Sequence, residues 1–153
     1  PLLRDRPDIL SFESAPLPQA IEVTGCACVN LWISSTVTDT DFTAKLVDVH
    51  PNGYAQNIID GMIRCRYRNS REQPSLLQPG QVTELEIDLW GTSHVFLAGH
   101  RIRLDISSSN FPRFDRNLNT GGDQARDTSW KIATQKVHHN ARYQSHVMLP
   151  VIP

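Results

Sequence analysis

From Thr83 to Leu89 the chain alternates without a break, with Leu85, Ile87 and Leu89 at odd positions and Glu84, Glu86 and Asp88 at even ones. A period of two sends one residue kind to each face of an extended strand, so this segment predicts a strand with a core face and a wet face. Arg101–Ser107 repeats the pattern, with Ile102, Leu104 and Ile106 set against Arg101, Arg103 and Asp105. Cys28–Ser35 does so again through Val29, Leu31 and Ile33. Periodicity of 3.6 is nearly absent, and Val, Ile and Thr are abundant, which is strand chemistry. Further strands are predicted at Ile9–Glu13, Ile21–Thr24, Asp41–Val49, Ala55–Ile59, Ile132–His138 and Ser145–Val151, for a total of about nine. Ile63, Cys65 and Tyr67 also alternate with Arg64, Arg66 and Arg68, which predicts a guanidinium row that would pair with the row Glu84, Glu86, Asp88 if the two strands are neighbours.

Pro51-Asn52-Gly53 and Gln78-Pro79-Gly80 supply the fixed φ and the positive φ that tight reversals require. Short strands joined by such turns define an all-β class, a jelly-roll β-sandwich. At 153 residues the chain fits one domain and buries enough surface for a core without disulfides or a structural metal. The segment from Asn110 to Ser129 is rich in Asn, Asp, Arg and Gly and has no strand period, and a loop of that length is usually functional or an interface.

Fifteen basic residues against 16 acidic give a net charge of −1, which removes the positive field that phosphate binding needs, so no nucleic-acid partner is expected. The longest apolar run, Val95 to Ala98, is far too short for a bilayer, and no membrane association is expected. The opening Pro1–Pro7 lacks a basic stretch leading into an apolar one and predicts no signal peptide. Three cysteines, Cys26, Cys28 and Cys65, are an odd and sparse set that reads as free thiols and points to the cytoplasm.

Catalytic and metal chemistry find little support. Gly91-Thr92-Ser93-His94-Val95 lacks the second glycine of a nucleophile elbow and runs on as a strand, so no catalytic residue is expected. Among six histidines, the adjacent His138 and His139 face opposite sides of a strand and make a poor metal pair. Asp39-Thr40-Asp41 opens like a calcium loop but lacks the Gly and terminal Glu that would complete it. Neither a metal nor any other cofactor is expected.

Two stretches go beyond composition: Ser34-Ser35-Thr36-Val37-Thr38-Asp39-Thr40-Asp41-Phe42-Thr43-Ala44-Lys45-Leu46-Val47-Asp48-Val49, and Gly99-His100-Arg101-Ile102-Arg103 running on to Ser107-Ser108-Ser109-Asn110-Phe111-Pro112-Arg113-Phe114-Asp115-Arg116-Asn117. Together they closely resemble the C-terminal domain of X-Pro dipeptidyl-peptidases and cocaine-esterase-like (CocE/NonD) hydrolases. The resemblance implies a galactose-binding-like jelly roll over residues 1–153, with the Ser-His-Asp triad in a separate α/β-hydrolase catalytic domain of the same protein. It implies substrates of the parent enzyme among small esters, amides or Xaa-Pro peptides. It also implies that Leu31 and Trp32, at the positions of a Leu-aromatic pair in cocaine-esterase-like members, reach the substrate pocket; the competing reading is a Trp32 covered by this domain's own loops.

Phe111, Arg113, Phe114 and Arg116 have the aromatic and arginine content of an interface anchor and are expected to dock on the catalytic domain. The competing reading is a self-packed loop with its arginines paired to Asp115, Asp123 or Asp127. An alternative function is a stand-alone carbohydrate-binding module using Trp32, Trp90 and Trp130 as platforms. A homodimer formed through a sheet edge is a further expectation.

Overall fold

A computed structural model describes residues 6–153, so residues 1–5, most of the stretch read for a leader, lie outside the described residues. The strands are β1 Ile9–Glu13, β2 Ile21–Ser35, β3 Asp41–Val49, β4 Ala55–Arg64, β5 Thr83–Phe96, β6 Arg101–Ser107, β7 Gln135–His138, β8 His146–Met148 and β9 Val151–Ile152. They form two antiparallel sheets. One has the order β1-β6-β3-β4, and the other has β5-β2-β7 with β8 and β9 also paired to β2. The protein is therefore the all-β sandwich that the alternation predicts, and among the described residues no helix is long and apolar enough to cross a membrane.

The inner rows are those read from the sequence. Val29, Leu31 and Ile33 of β2 and Leu85, Ile87 and Leu89 of β5 meet Phe42, Ala44 and Leu46 of β3 and Ile106 of β6 in one core. Ile21–Thr24 and Cys28–Ser35, predicted as separate strands, are the two ends of the 15-residue β2. The strand predicted at Thr83–Leu89 continues to Phe96, past a bulge where Leu89 and Trp90 stand opposite Ala27. Trp90 adopts φ 66° there. The extra residue flips the alternation, so beyond it the even positions Thr92, His94 and Phe96 face inward.

Four sequence expectations are corrected. The alternation at Ile63–Tyr67 does not continue as a strand, because β4 ends at Arg64 and Cys65–Tyr67 is a 3-10 turn. The arginine row cannot pair with Glu84, Glu86 and Asp88, because β4 and β5 belong to different sheets and the acidic row lies exposed on the outer face of the second. Residues 132–134 do not pair as a strand, and β7 starts at Gln135. The closing strand is broken into β8 and β9, which separately pair with β2.

Candidate functional site

Leu31 and Trp32 occupy adjacent positions of β2 and therefore opposite faces of its sheet. Leu31 is buried in the core and lines an apolar cleft of about 420 Å³, which opens between the β1–β6 side of one sheet and the β7–β8 side of the other. Phe12, Ile102, Leu104, Val137 and Leu149 share its walls. Trp32 is half-buried on the outer face, between Glu84 of β5 and His138 of β7. Its indole lies against Tyr143, with ring centroids 5.3 Å apart. Tyr143 in turn meets His138 at 5.6 Å.

The loop carrying Tyr143 is fixed locally. Ser145 Oγ accepts from the Trp32 backbone N–H at 2.8 Å and donates to the His138 carbonyl at 2.6 Å. Ser34 Oγ and His138 Nε2 are hydrogen-bonded at 3.0 Å. That serine sits within a paired strand rather than on an elbow, so the bond ties β7 to β2 and does not set up a nucleophile. Trp32, Tyr143 and His138 thus form an aromatic wall on the outer face, one that sequence spacing could not show because Tyr143 is brought over β2 by the bridge between His139 and Gln144.

The second predicted group lies on the long loop. Phe111 is 56% exposed, with the Arg116 guanidinium 4.7 Å over its ring. Arg113 lies 5.5 Å over Phe114 and forms an ion pair with buried Asp60, which also accepts from Asn110 Nδ2 at 2.6 Å. Of the loop's own acids, Asp123 pairs with Arg126 at 3.6 Å, as in the self-packed reading, whereas Arg113 turns to Asp60 of β4 and Asp127 accepts from Thr120 at 2.9 Å. Trp90 and Trp130 are 62% and 67% exposed, and neither stacks with Trp32.

The arginine row and the calcium-like pair resolve together. Arg64 holds Asp41 through two bonds of 3.0 Å. Arg66 holds Asp39 through its backbone N–H at 3.0 Å and Nε at 2.8 Å. Asn117 Nδ2 donates to both carboxylates, at 3.0 and 2.7 Å, and so fastens the long loop over them. Burial pushes the Asp41 carboxyl above its ordinary range against the opposing pull of Arg64 and Asn117, and the bond to Asp41 raises the Arg64 guanidinium. These carboxylates are satisfied by protein donors and belong to the fold.

A two-sheet sandwich whose polar side chains are spent on anchoring loops, with an aromatic wall and an arginine-aromatic platform facing outward, belongs to the class of accessory domains. Residues 3–148 match the family described as X-Pro dipeptidyl-peptidase C-terminal non-catalytic domain, and the chain belongs to that family. It is 45% identical over 152 residues to the cocaine esterase of Rhodococcus sp. (strain MB1 Bresler), covering 98% of this chain and 26% of that protein. Among solved structures, an α-amino acid ester hydrolase superposes at TM-score 0.93 with 31% identity, over 99% of this chain and 26% of that one. An aminopeptidase from a marine sediment archaeon, Thaumarchaeota archaeon, superposes at 0.91 with 31% identity, over 99% and 27%. The chain therefore spans about a quarter of the length of these relatives.

Proposed function

We propose that this chain is the accessory sandwich of a longer serine hydrolase, where it packs on an α/β-hydrolase catalytic domain and completes the acyl side of its substrate pocket. The observation that carries the reading is the half-buried Trp32 within the aromatic wall, on a chain matching only a quarter of a known esterase. With Tyr143 and His138 beside it, the partly open indole forms a contiguous aromatic patch, and such a patch supports a partner surface better than a lone exposed ring would. Trp32 makes the direct contact, and Leu31, on the inner face, supports it from the cleft it lines. Phe111, Arg113, Phe114 and Arg116 dock on the catalytic domain. The parent's substrates are small esters or amides, or peptides with an Xaa-Pro start. The three free thiols fit a reducing compartment such as the cytoplasm.

The test is a gel of the native protein from its source cells, probed with an antibody to this domain and a fluorophosphonate serine-hydrolase label. A labelled band larger by at least a hydrolase domain is expected, whereas an unlabelled band at 17.2 kDa would overturn the reading. In the longer protein, Trp32→Ala is expected to change kcat/KM across a panel of acyl esters more than it changes folding. Kinetics that do not depend on acyl size would remove Trp32 from the pocket.

A further inference from the structure

Five aspartates are buried among the described residues: Asp39, Asp41, Asp48, Asp60 and Asp105. Four of them meet a guanidinium, from Arg66, Arg64, Arg113 and Arg103 respectively. Asp48 meets imidazoles instead. His100 Nδ1 lies 2.8 Å from its Oδ1, His94 Nε2 lies 3.0 Å from Oδ2, and His50 Nε2 stands 3.9 Å from Oδ2. The His50 and His100 rings stack with centroids 4.3 Å apart, and Tyr54 packs edge-on against His50 at 5.1 Å. A buried carboxylate needs a positive partner to offset its desolvation cost, and the guanidinium that supplies it at the other four aspartates is replaced here by imidazoles. The nearest guanidinium on the rim of this site, Arg101, is held by Glu13 at 2.7 Å.

A second observation points to a ligand. His50 Nε2 is a buried nitrogen without a hydrogen-bond partner, and it faces the carboxylate. Ligating atoms of Asp48, His50 and His100 all lie within 4.8 Å of one another. Ligands about 2.05 Å from a tetrahedral zinc ion stand about 3.3 Å apart, whereas His100 Nδ1 lies 2.8 Å from Asp48 Oδ1 and His50 Nε2 lies 3.9 Å from Oδ2, so the side chains must adjust slightly to close around one ion. A pocket of about 290 Å³ bordered by His50, Pro51, Gly53 and Gly99 brings solvent to the His50 side of the cluster, and a zinc held by three side chains takes its fourth ligand from water.

We propose that Asp48, His50 and His100 form a zinc site, with an open fourth position, that closes this end of the sandwich. For Nδ1 to ligate, the ring proton of His100 must sit on Nε2, and the hydrogen bond to Asp48 gives way to a nitrogen–zinc bond. His94 keeps its bond to the other carboxylate oxygen and orients it, in the manner of groups that hydrogen-bond to metal ligands. The ion joins the β3–β4 turn to the start of β6, and through His94 it ties this sheet to β5 of the other. Imidazole and carboxylate donors suit zinc, whereas calcium and magnesium want oxygen alone.

The test is titration of the chelator-stripped intact protein with zinc chloride by calorimetry, with cobalt(II) visible spectra as a report on geometry. One zinc per chain, tetrahedral cobalt bands and a zinc-dependent rise in Tm are expected. His50→Ala is expected to weaken binding by more than about 100-fold, and His94→Gln by about tenfold. His50→Ala also removes the ring contacts to His100 and Tyr54, so its metal-free Tm is expected to fall somewhat, and the decisive reading is that added zinc no longer raises it. His146→Ala, on the outer face of the other sheet, should bind as the parent does. Asp48→Asn is a further variant, and if it fails to fold then His50→Ala decides alone. Absence of binding, or affinity unchanged in His50→Ala, or equal loss in His146→Ala, would overturn the site.

Discussion

Cys65 shows how much one side chain depends on where the chain turns. Its backbone N–H donates to the Thr40 carbonyl at 2.9 Å, which draws the 3-10 turn under the Asp39–Asp41 network. Burial first, and then the charges of Asp39 and Asp41, push its thiol far above the ordinary 9.0. A folded-state pKa above the unfolded one contributes stability that is fully present below about pH 9 and lost as the pH rises, here at up to about 1.4 kcal/mol per pH unit. Urea unfolding at a series of alkaline pH values is therefore expected to show a falling limb that Cys65→Ala flattens. Native alkylation is expected to label exposed Cys26 first and Cys28 more slowly, because burial and the neighbouring Glu86 and Asp88 raise the Cys28 thiol. Cys65 should react only on unfolding, and labelling as fast as Cys26 would contradict its burial. The free state of the thiols was legible from their count. Their ranking was not, because alternation across Ile63–Tyr67 reads as a strand until the turn at Cys65 folds the arginines onto Asp39 and Asp41.

At the scale of elements, β4 crosses β5 so closely at Gly61 that a Cβ there would stand 2.1 Å from the Asp88 carbonyl oxygen. That oxygen belongs to the backbone just before the Trp90 bulge, so the sheets must separate to admit a methyl group. Gly61→Ala is expected to destabilise the domain by about 3 kcal/mol. Gly91→Ala, with nothing within 4 Å of its added carbon, should stay within about 0.5 kcal/mol of the parent. Equal urea midpoints for the two variants would remove the close approach as a constraint. The strands were legible where alternation runs unbroken, as in Thr83–Leu89 and Arg101–Ser107, and blurred where a bulge changes parity. One bulge lies at Leu89–Trp90, and another leaves Ile58 of β4 without a partner between Leu46 and Val47. The imidazole cluster was partly readable, since Asp48 and His50 continue the inner row of Phe42, Ala44 and Leu46, and His100 continues that of Ile102, Leu104 and Ile106. His94 was hidden, because only the bulge turns it inward.

At the scale of the whole molecule the long loop shows two sides with different partners. Its rear is bound to the sandwich through Asn110, Arg113 and Asn117, while its front presents Phe111 with Arg116 over the ring. A loop built only to cap the sandwich would gain little from a phenylalanine more than half exposed. A docking anchor has that form, since aromatic and arginine residues carry most of the energy at interface centres. Truncating Phe111 in this chain alone is expected to change stability by no more than about 0.5 kcal/mol, as for an ordinary surface change. On the docking proposed above, the same substitution in a longer hydrolase is expected to remove a contact with the catalytic domain and to cost about 2 kcal/mol or more. Arg116→Ala should act in the same way, and because its guanidinium lies over the Phe111 ring the two losses should fall short of additive in the double variant. Urea unfolding of both forms, with esterase activity followed in the longer one, separates the roles. Equal losses in the isolated chain and the longer protein would make the loop a self-packed cap and leave Trp32 as the element that faces the catalytic domain.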